Sequence, residues 1–172
     1  IDLVTLAEKR LAKATRKTFP GVSLPQAIAG AADVAPILRG LIALPAKDGG
    51  REAAQRFVFE FRTNPGILAY VGGKEIARYS QQGPVTPDHA IRTKGVPLVV
   101  PAPEAGKLDT FAKDAKAALD TFVADYHAYF QRHNVRQMPS KTELDPMPRV
   151  VLVPGLGLFG VGNTSKDAKI AA

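Results

Sequence analysis

Apolar positions along this chain follow two periods, and the period changes from segment to segment. In IDLVTLAEKRLAKA, Val4, Ala7, Leu11 and Ala14 recur on one helical face. Phe19-Pro20-Gly21 breaks that pattern, and Ser23 and Gln26 then stand at the spacing of a capping box, so a second helix is expected to begin there. Asp33 followed by Pro36 restarts or kinks it, and helical character runs to about Ala43. The polar stretch PAKDGGRE reads as a turn.

Beyond it the period becomes two. Phe57, Phe59 and Phe61 alternate with Val58, Glu60 and Arg62, which predicts a strand with one aromatic face buried. Asn64-Pro65-Gly66 reads as a turn and Ile67 to Val71 as a second strand, the two forming an antiparallel pair ended by Gly72-Gly73. Lys74 to Gln82 is expected to form a short helix. Thr86 is placed as an N-cap with Pro87 at the first helical position, where its missing amide costs nothing. One turn there carries Asp88, His89, Ile91 and Arg92, and Pro97 to Val100 follows as a strand.

The longest helix is predicted from about Lys107 to Asn134, with Leu108, Phe111, Ala115, Leu119, Phe122 and Tyr126 on one core-facing stripe. MPSKTELDPMP is a connector, and Arg149 to Val153 is a buried strand. Strands and helices mix without strict alternation. The expected fold class is α/β, with α+β as the variant: a layered mixed sheet flanked by helices.

Composition narrows the chemistry. The chain has 172 residues, enough for one domain with an appendage and a proper core. Hydrophobic residues at 45% and charged residues at 23% are ordinary for a globular protein, and no apolar run approaches the roughly 20 residues that span a bilayer. The opening lacks the continuous apolar core of a signal peptide, and a cytoplasmic location without membrane attachment is expected. The absence of cysteine excludes disulfides, thiolate metal sites and cysteine nucleophiles, leaving His89, His127 and His133 as nitrogen ligands. The net charge of +7 concentrates only at Lys9, Arg10, Lys13, Arg16 and Lys17, which reads as a solvated helix face; no nucleic-acid motif accompanies it. The chain opens in mid-helix and stops at KDAKIAA with a helix just under way, which reads as a piece of a longer polypeptide.

Two stretches raise the question of chemistry. Gly155-x-Gly157-x-x-Gly160 follows a β-branched run and matches the letters of a dinucleotide fingerprint. That fingerprint needs a turn leading straight into a helix, whereas Leu158 to Val161 continues as a short β-like run and helix-start chemistry waits until Asn163-Thr164-Ser165. Strand, glycine turn and second strand is the expected arrangement, without a nicotinamide site. The densest polar cluster is Thr86, Asp88, His89, Arg92 and Lys94, where a histidine beside an aspartate could act as base or ligand and two cations could grip a phosphate. A helix-dipole role for Asp88 explains the same acid structurally. His127 and His133, six residues apart, face different ways and do not make a shared metal site. No complete catalytic constellation assembles.

SQQGPVTPDHAIRTKGVPLVV, Ser80 to Val100, and DPMPRVVLVPGLGLFGVGNTSKDAKIA, Asp145 to Ala171, resemble the bifunctional rhamnulose-1-phosphate aldolase/alcohol dehydrogenase family. There a class II aldolase domain precedes a short-chain dehydrogenase. The resemblance implies that residues 1–20 hold the closing helix of the aldolase domain and residues 21–172 an intermediate α/β domain cut before the dehydrogenase. Zinc and NAD are implied for the parent enzyme and neither for this segment; the implied partners are the flanking domains, with a homo-oligomer or a phosphorylated sugar as further options. In class II aldolases a strand ends in an Asn-His-Gly turn whose histidine ligates zinc, and a second strand then leads to Gly-Asp-Thr and a helix. Setting Gly162-Asn163-Thr164 on that last motif puts Gly157 on the turn glycine and Leu156 on the histidine. The family's His-x-His pair has no counterpart either. A degenerate, metal-free aldolase-like domain is therefore expected, which requires the last two strands to be neighbours. The alternative is a domain that itself binds a sugar phosphate through Asp88, His89, Arg92 and Lys94.

Overall fold

In the computed structural model, which describes residues 2–13, 20–45 and 54–172, the chain builds a mixed sheet with helices on both faces. Its first half holds α1 (Asp2–Lys13), α2 (Ala31–Leu41), β1 (Ala43–Leu44), β2 (Gln55–Arg56), β3 (Val58–Arg62), α3 (Pro65–Val71) and α4 (Ile76–Tyr79). Its second half holds α5 (Pro87–Thr93), β4 (Leu98–Val99), α6 (Leu108–Asn134), β5 (Val150–Val153), β6 (Gly157–Gly162) and α7 (Ser165–Ala171). The polar turn expected after Pro45, together with Ala14, Arg16 and Lys17, lies outside the described residues.

The main sheet has four strands in the order β3-β6-β5-β4. β6 runs antiparallel to both β3 and β5, with Phe59 opposite Val161 and Val151 opposite Phe159. β4 lies parallel to β5, Leu98 opposite Val151. A parallel neighbour needs a long crossover, and α6 supplies it, reaching about 40 Å at 1.5 Å per residue. β1 and β2 form a separate antiparallel ribbon.

Alternation of side chains divides the sheet into two faces. Val151, Val153, Phe159 and Val161 pack on one side with Val34 and Leu38 of α2 and Phe111, Ala115 and Leu119 of α6. The predicted aromatic face joins this core: Phe57 is buried, and the Phe59 and Phe61 rings lie 5.8 and 5.0 Å from that of Phe159. On the other side Leu152, Val150 and Leu158 pack with Val71 and Ile76 from α3 and α4. The glycines that continue Leu158's side of β6, Gly160 and Gly162, lie against α7. The result is a three-layer domain with the mixed, helix-flanked sheet expected of the α/β class.

Three local expectations are corrected. No helix starts at Ser23, because the backbone of this segment pairs with distant chain: Ala29 N–H donates to the Pro103 carbonyl at 2.8 Å, and Ala105 N–H to that of Ala27 at 3.0 Å. Buried backbone groups take the partners that tertiary structure offers, and this pairing holds the segment extended until Gly30 starts α2. Ile67 to Val71 is helix α3 and not the partner of β3; that partner is β6. Asn64 and Pro65 are a cap and a first helical residue, the Asn64 side chain accepting from Ile67 N–H at 2.8 Å. The helix expected over Lys74 to Gln82 shrinks to α4, a single turn.

Candidate functional site

The glycine-rich stretch forms the turn between β5 and β6. Val153 pairs with Gly157 at its mouth, and Leu156 N–H donates to the Val153 carbonyl at 3.1 Å. Gly155 and Gly157 have φ of 79° and 145°, a region in which side chains are strained. At Gly157 a Cβ would stand 2.5 Å from the Arg62 carbonyl oxygen. Gly160 serves a different need, since a Cβ there would meet the Ala168 carbonyl oxygen at 2.3 Å and Ala172 N at 2.5 Å. The glycines thus make a tight turn and admit α7, and the chain leaves the turn as a strand. A pyrophosphate cradle would need a helix at that point.

Beyond β6 the sequence-predicted helix start is in place. Thr164 Oγ1 accepts from Asp167 N–H at 3.1 Å and donates to the Asp167 carboxylate at 2.7 Å, capping α7. β5, turn, β6 and α7 reproduce the strand-turn-strand-helix order set out above. Leu156, which the resemblance sets on the zinc-binding histidine, is half-buried and packs against the main core. It offers no donor atom. The histidines are placed apart: His89 Nδ1 lies 2.8 Å from Thr86 Oγ1, His127 Nδ1 lies 2.7 Å from Glu143, and the His133 ring lies 4.7 Å from that of Tyr129. Among the described residues no group of His, Asp and Glu side chains comes together to hold a metal. This donor set does not fit the zinc of a class II aldolase.

The polar cluster on α5 is split by the fold. Thr86 occupies the N-cap position, yet its hydroxyl meets His89 and makes no capping bond. Thr86, Asp88, His89 and Arg92 are exposed. Lys94, just past the helix, turns away from them at φ 62° and ψ −174°, a conformation that costs a non-glycine residue about 1–3 kcal/mol. Its ammonium donates to the Asp145 carbonyl and lies 3.7 Å from the centre of the Tyr126 ring. Burial lowers the Lys94 pKa to about 8, against the opposing pull of the Asp145 carboxylate, with Arg149 lowering it further and Glu143 raising it. Lys94 ties the end of α5 to α6 and to the 143–149 connector.

Arg92 instead lines a cleft of about 130 Å³ with Ile91, Arg149, Asn163, Asp167 and Ile170. Arg149 is held from three sides: 2.5 Å from the Asp145 carboxylate, donating to the Met147 carbonyl at 3.1 Å, and 5.0 Å from the centre of the Phe57 ring. Asn163 Oδ1 accepts from Gln55 Nε2 at 3.0 Å. Sequence reasoning passed over Arg149 as the first residue of a buried strand and took Asn163 for helix-start chemistry and for the middle of the Gly-Asp-Thr-like motif. A charged residue opening an apolar run was the available signal for Arg149.

Comparison with known proteins agrees with this geometry. The family described as aldolase class II, second domain, matches residues 29–172, which take in the sheet, α6 and the terminal hairpin. A Bacillus subtilis (strain 168) protein described as the uncharacterized oxidoreductase YuxG is 29% identical over 136 residues, 78% of this chain. The chain spans 19% of that relative's length. No solved structure matches. With the family match covering the strand-turn-strand-helix unit and the layers around it, the chain belongs to the aldolase class II second-domain family.

Proposed function

We propose that this domain is the non-catalytic intermediate domain of a rhamnose-catabolic fusion enzyme, acting in the cytoplasm. In this reading it sits between a zinc-dependent rhamnulose-1-phosphate aldolase and an NAD-dependent lactaldehyde dehydrogenase or reductase, and its work is to hold the two modules together. The observation that carries it is Leu156. The hairpin of an aldolase is kept, with a core-packed leucine where that family places a metal-binding histidine. The small share of an oxidoreductase-described relative that the chain spans supports a place inside a larger polypeptide.

The test is turnover by the purified chain. Rhamnulose 1-phosphate is offered with added zinc, and lactaldehyde with NAD, each followed by release of product. No turnover above the protein-free rate is expected in either assay. Cleavage of the sugar phosphate, or NAD reduction, would overturn the reading. In the polypeptide carrying both modules, His89→Ala is expected to leave both activities at the wild-type rate, because His89 is exposed and its imidazole meets its own helix's N-cap residue, Thr86.

A further inference from the structure

We infer that the cleft between α5 and α7 is a binding site for a small organic oxyanion, a phosphate monoester or carboxylate on a short carbon chain. Two arginines line it from separate elements. Arg149 is the fixed one, only 18% exposed and anchored by Asp145, Met147 and Phe57, so its position needs no ordering when a ligand arrives. Arg92 is the uncommitted one: it is exposed and makes no ion pair with any described residue. Guanidinium groups supply the forked donors that oxyanions accept best.

The remaining lining limits what fits. Asn163 commits its carbonyl oxygen to Gln55, which leaves its amide N–H groups as the donors it can offer a ligand. The Asp167 carboxylate is engaged by the Thr164 hydroxyl at 2.7 Å as part of the helix cap. With Asp145 paired to Arg149 and Asp167 in the lining, the charges balance, so the attraction for an anion rests on Arg92, which has no described ion-pair partner, and on the N–H donors of Arg149 and Asn163. Ile91 and Ile170, 78% and 45% exposed, give the mouth an apolar edge that suits a short carbon chain and not bare phosphate. A volume of about 130 Å³ is well below the roughly 300–1,000 Å³ of pockets for drug-sized ligands, which suits a short anion. This site is independent of the scaffold reading, since a domain without catalysis can still hold an anion.

Binding is tested on the intact chain by calorimetry and by the Asn163 side-chain and Gly162 amide resonances, with glycerol 3-phosphate, lactate, inorganic phosphate and uncharged glycerol as probes. A charged probe is expected to move those resonances saturably, while glycerol does not; whether the phosphate ester or the carboxylate binds tighter names the natural class. Arg92→Gln, an exposed change, should weaken binding about tenfold or more with the fold intact. Asn163→Ala should weaken it as well. The site is overturned if no charged probe moves these resonances, if glycerol moves them as much, or if Arg92→Gln binds like wild type.

Discussion

Changing Gly160 to alanine separates packing from cofactor chemistry at the glycine-rich stretch. The added Cβ would stand 2.3 Å from the Ala168 carbonyl oxygen, 2.5 Å from Ala172 N and 2.7 Å from the Ala172 Cβ. Two of those are backbone atoms and cannot rotate aside. Restoring ordinary contact requires α7 to retreat by about 1 Å from the sheet, where Ala168 and Ala171 are buried. Overpacking of this kind costs about 1–3 kcal/mol. For a chain of this size that lowers Tm by roughly 2–12 °C. Gly40→Ala is the internal control: nothing lies within 4 Å of its added Cβ, and alanine is the better residue inside α2. That change should stabilise by about 0.5–1 kcal/mol. Urea denaturation followed by circular dichroism, without any nucleotide present, measures both. Equal stability of Gly160→Ala and wild type, or shifts of the same sign in the two variants, would refute the claim that Gly160 exists to admit α7.

Asn64→Ala removes the side-chain acceptor for Ile67 N–H and should cost about 1 kcal/mol in the same assay; no loss would mean that the cap is not formed. Lys94 has a pKa of about 8 in the fold against its ordinary 10.5, so between those pH values the unfolded chain holds a proton that the folded one lacks. Its contribution therefore rises from pH 8 to 10.5 and is lost as pH falls through 8. Discounted for its partial exposure, this amounts to on the order of 1 kcal/mol, and the difference between wild type and Lys94→Met across that range should show it. A flat difference would rule out the burial of the charge. Leu156→His should lower stability by disturbing the core and gain no zinc-dependent rise in Tm, because the His-x-His pair that would supply the other ligands has no counterpart in the sequence. A zinc-dependent rise of several degrees would show a latent metal site.

What was legible before folding was whatever a short window decides. The alternation of Phe57, Phe59 and Phe61 reports one buried face, and the stripe from Leu108 to Phe122 reports α6, because side-chain direction follows directly from the local period. What failed was set by distant partners. Ser23 and Gln26 have capping-box spacing, yet the strand-like contact of Ala27 and Ala29 with residues 103–105 uses the backbone groups that a helix would have claimed. Ile67 to Val71 is apolar enough for either element, and Asn64-Pro65 before it signals a turn and a helix start alike. The choice falls to the helix because β6, about a hundred residues later, fills the place beside β3.

The two ends of β6 carry the argument about function, and only one end was readable. At the turn, glycine spacing and the leucine at position 156 could be compared with a known pattern, and the register of β5 with β6 has the required form. At the other end, Arg92 stood in a sequence cluster from which the fold turns Lys94 aside. Arg149, which lines the same cleft, lies 57 residues further along the chain and comes there because β5 lies beside β6. Clustering in sequence told which side chains are plentiful on α5, while the sheet decides which of them meet. The turn and the cleft thus stand at opposite ends of one strand, and the pairing of β6 with β5 is what brings Arg149 to the same cleft as Arg92.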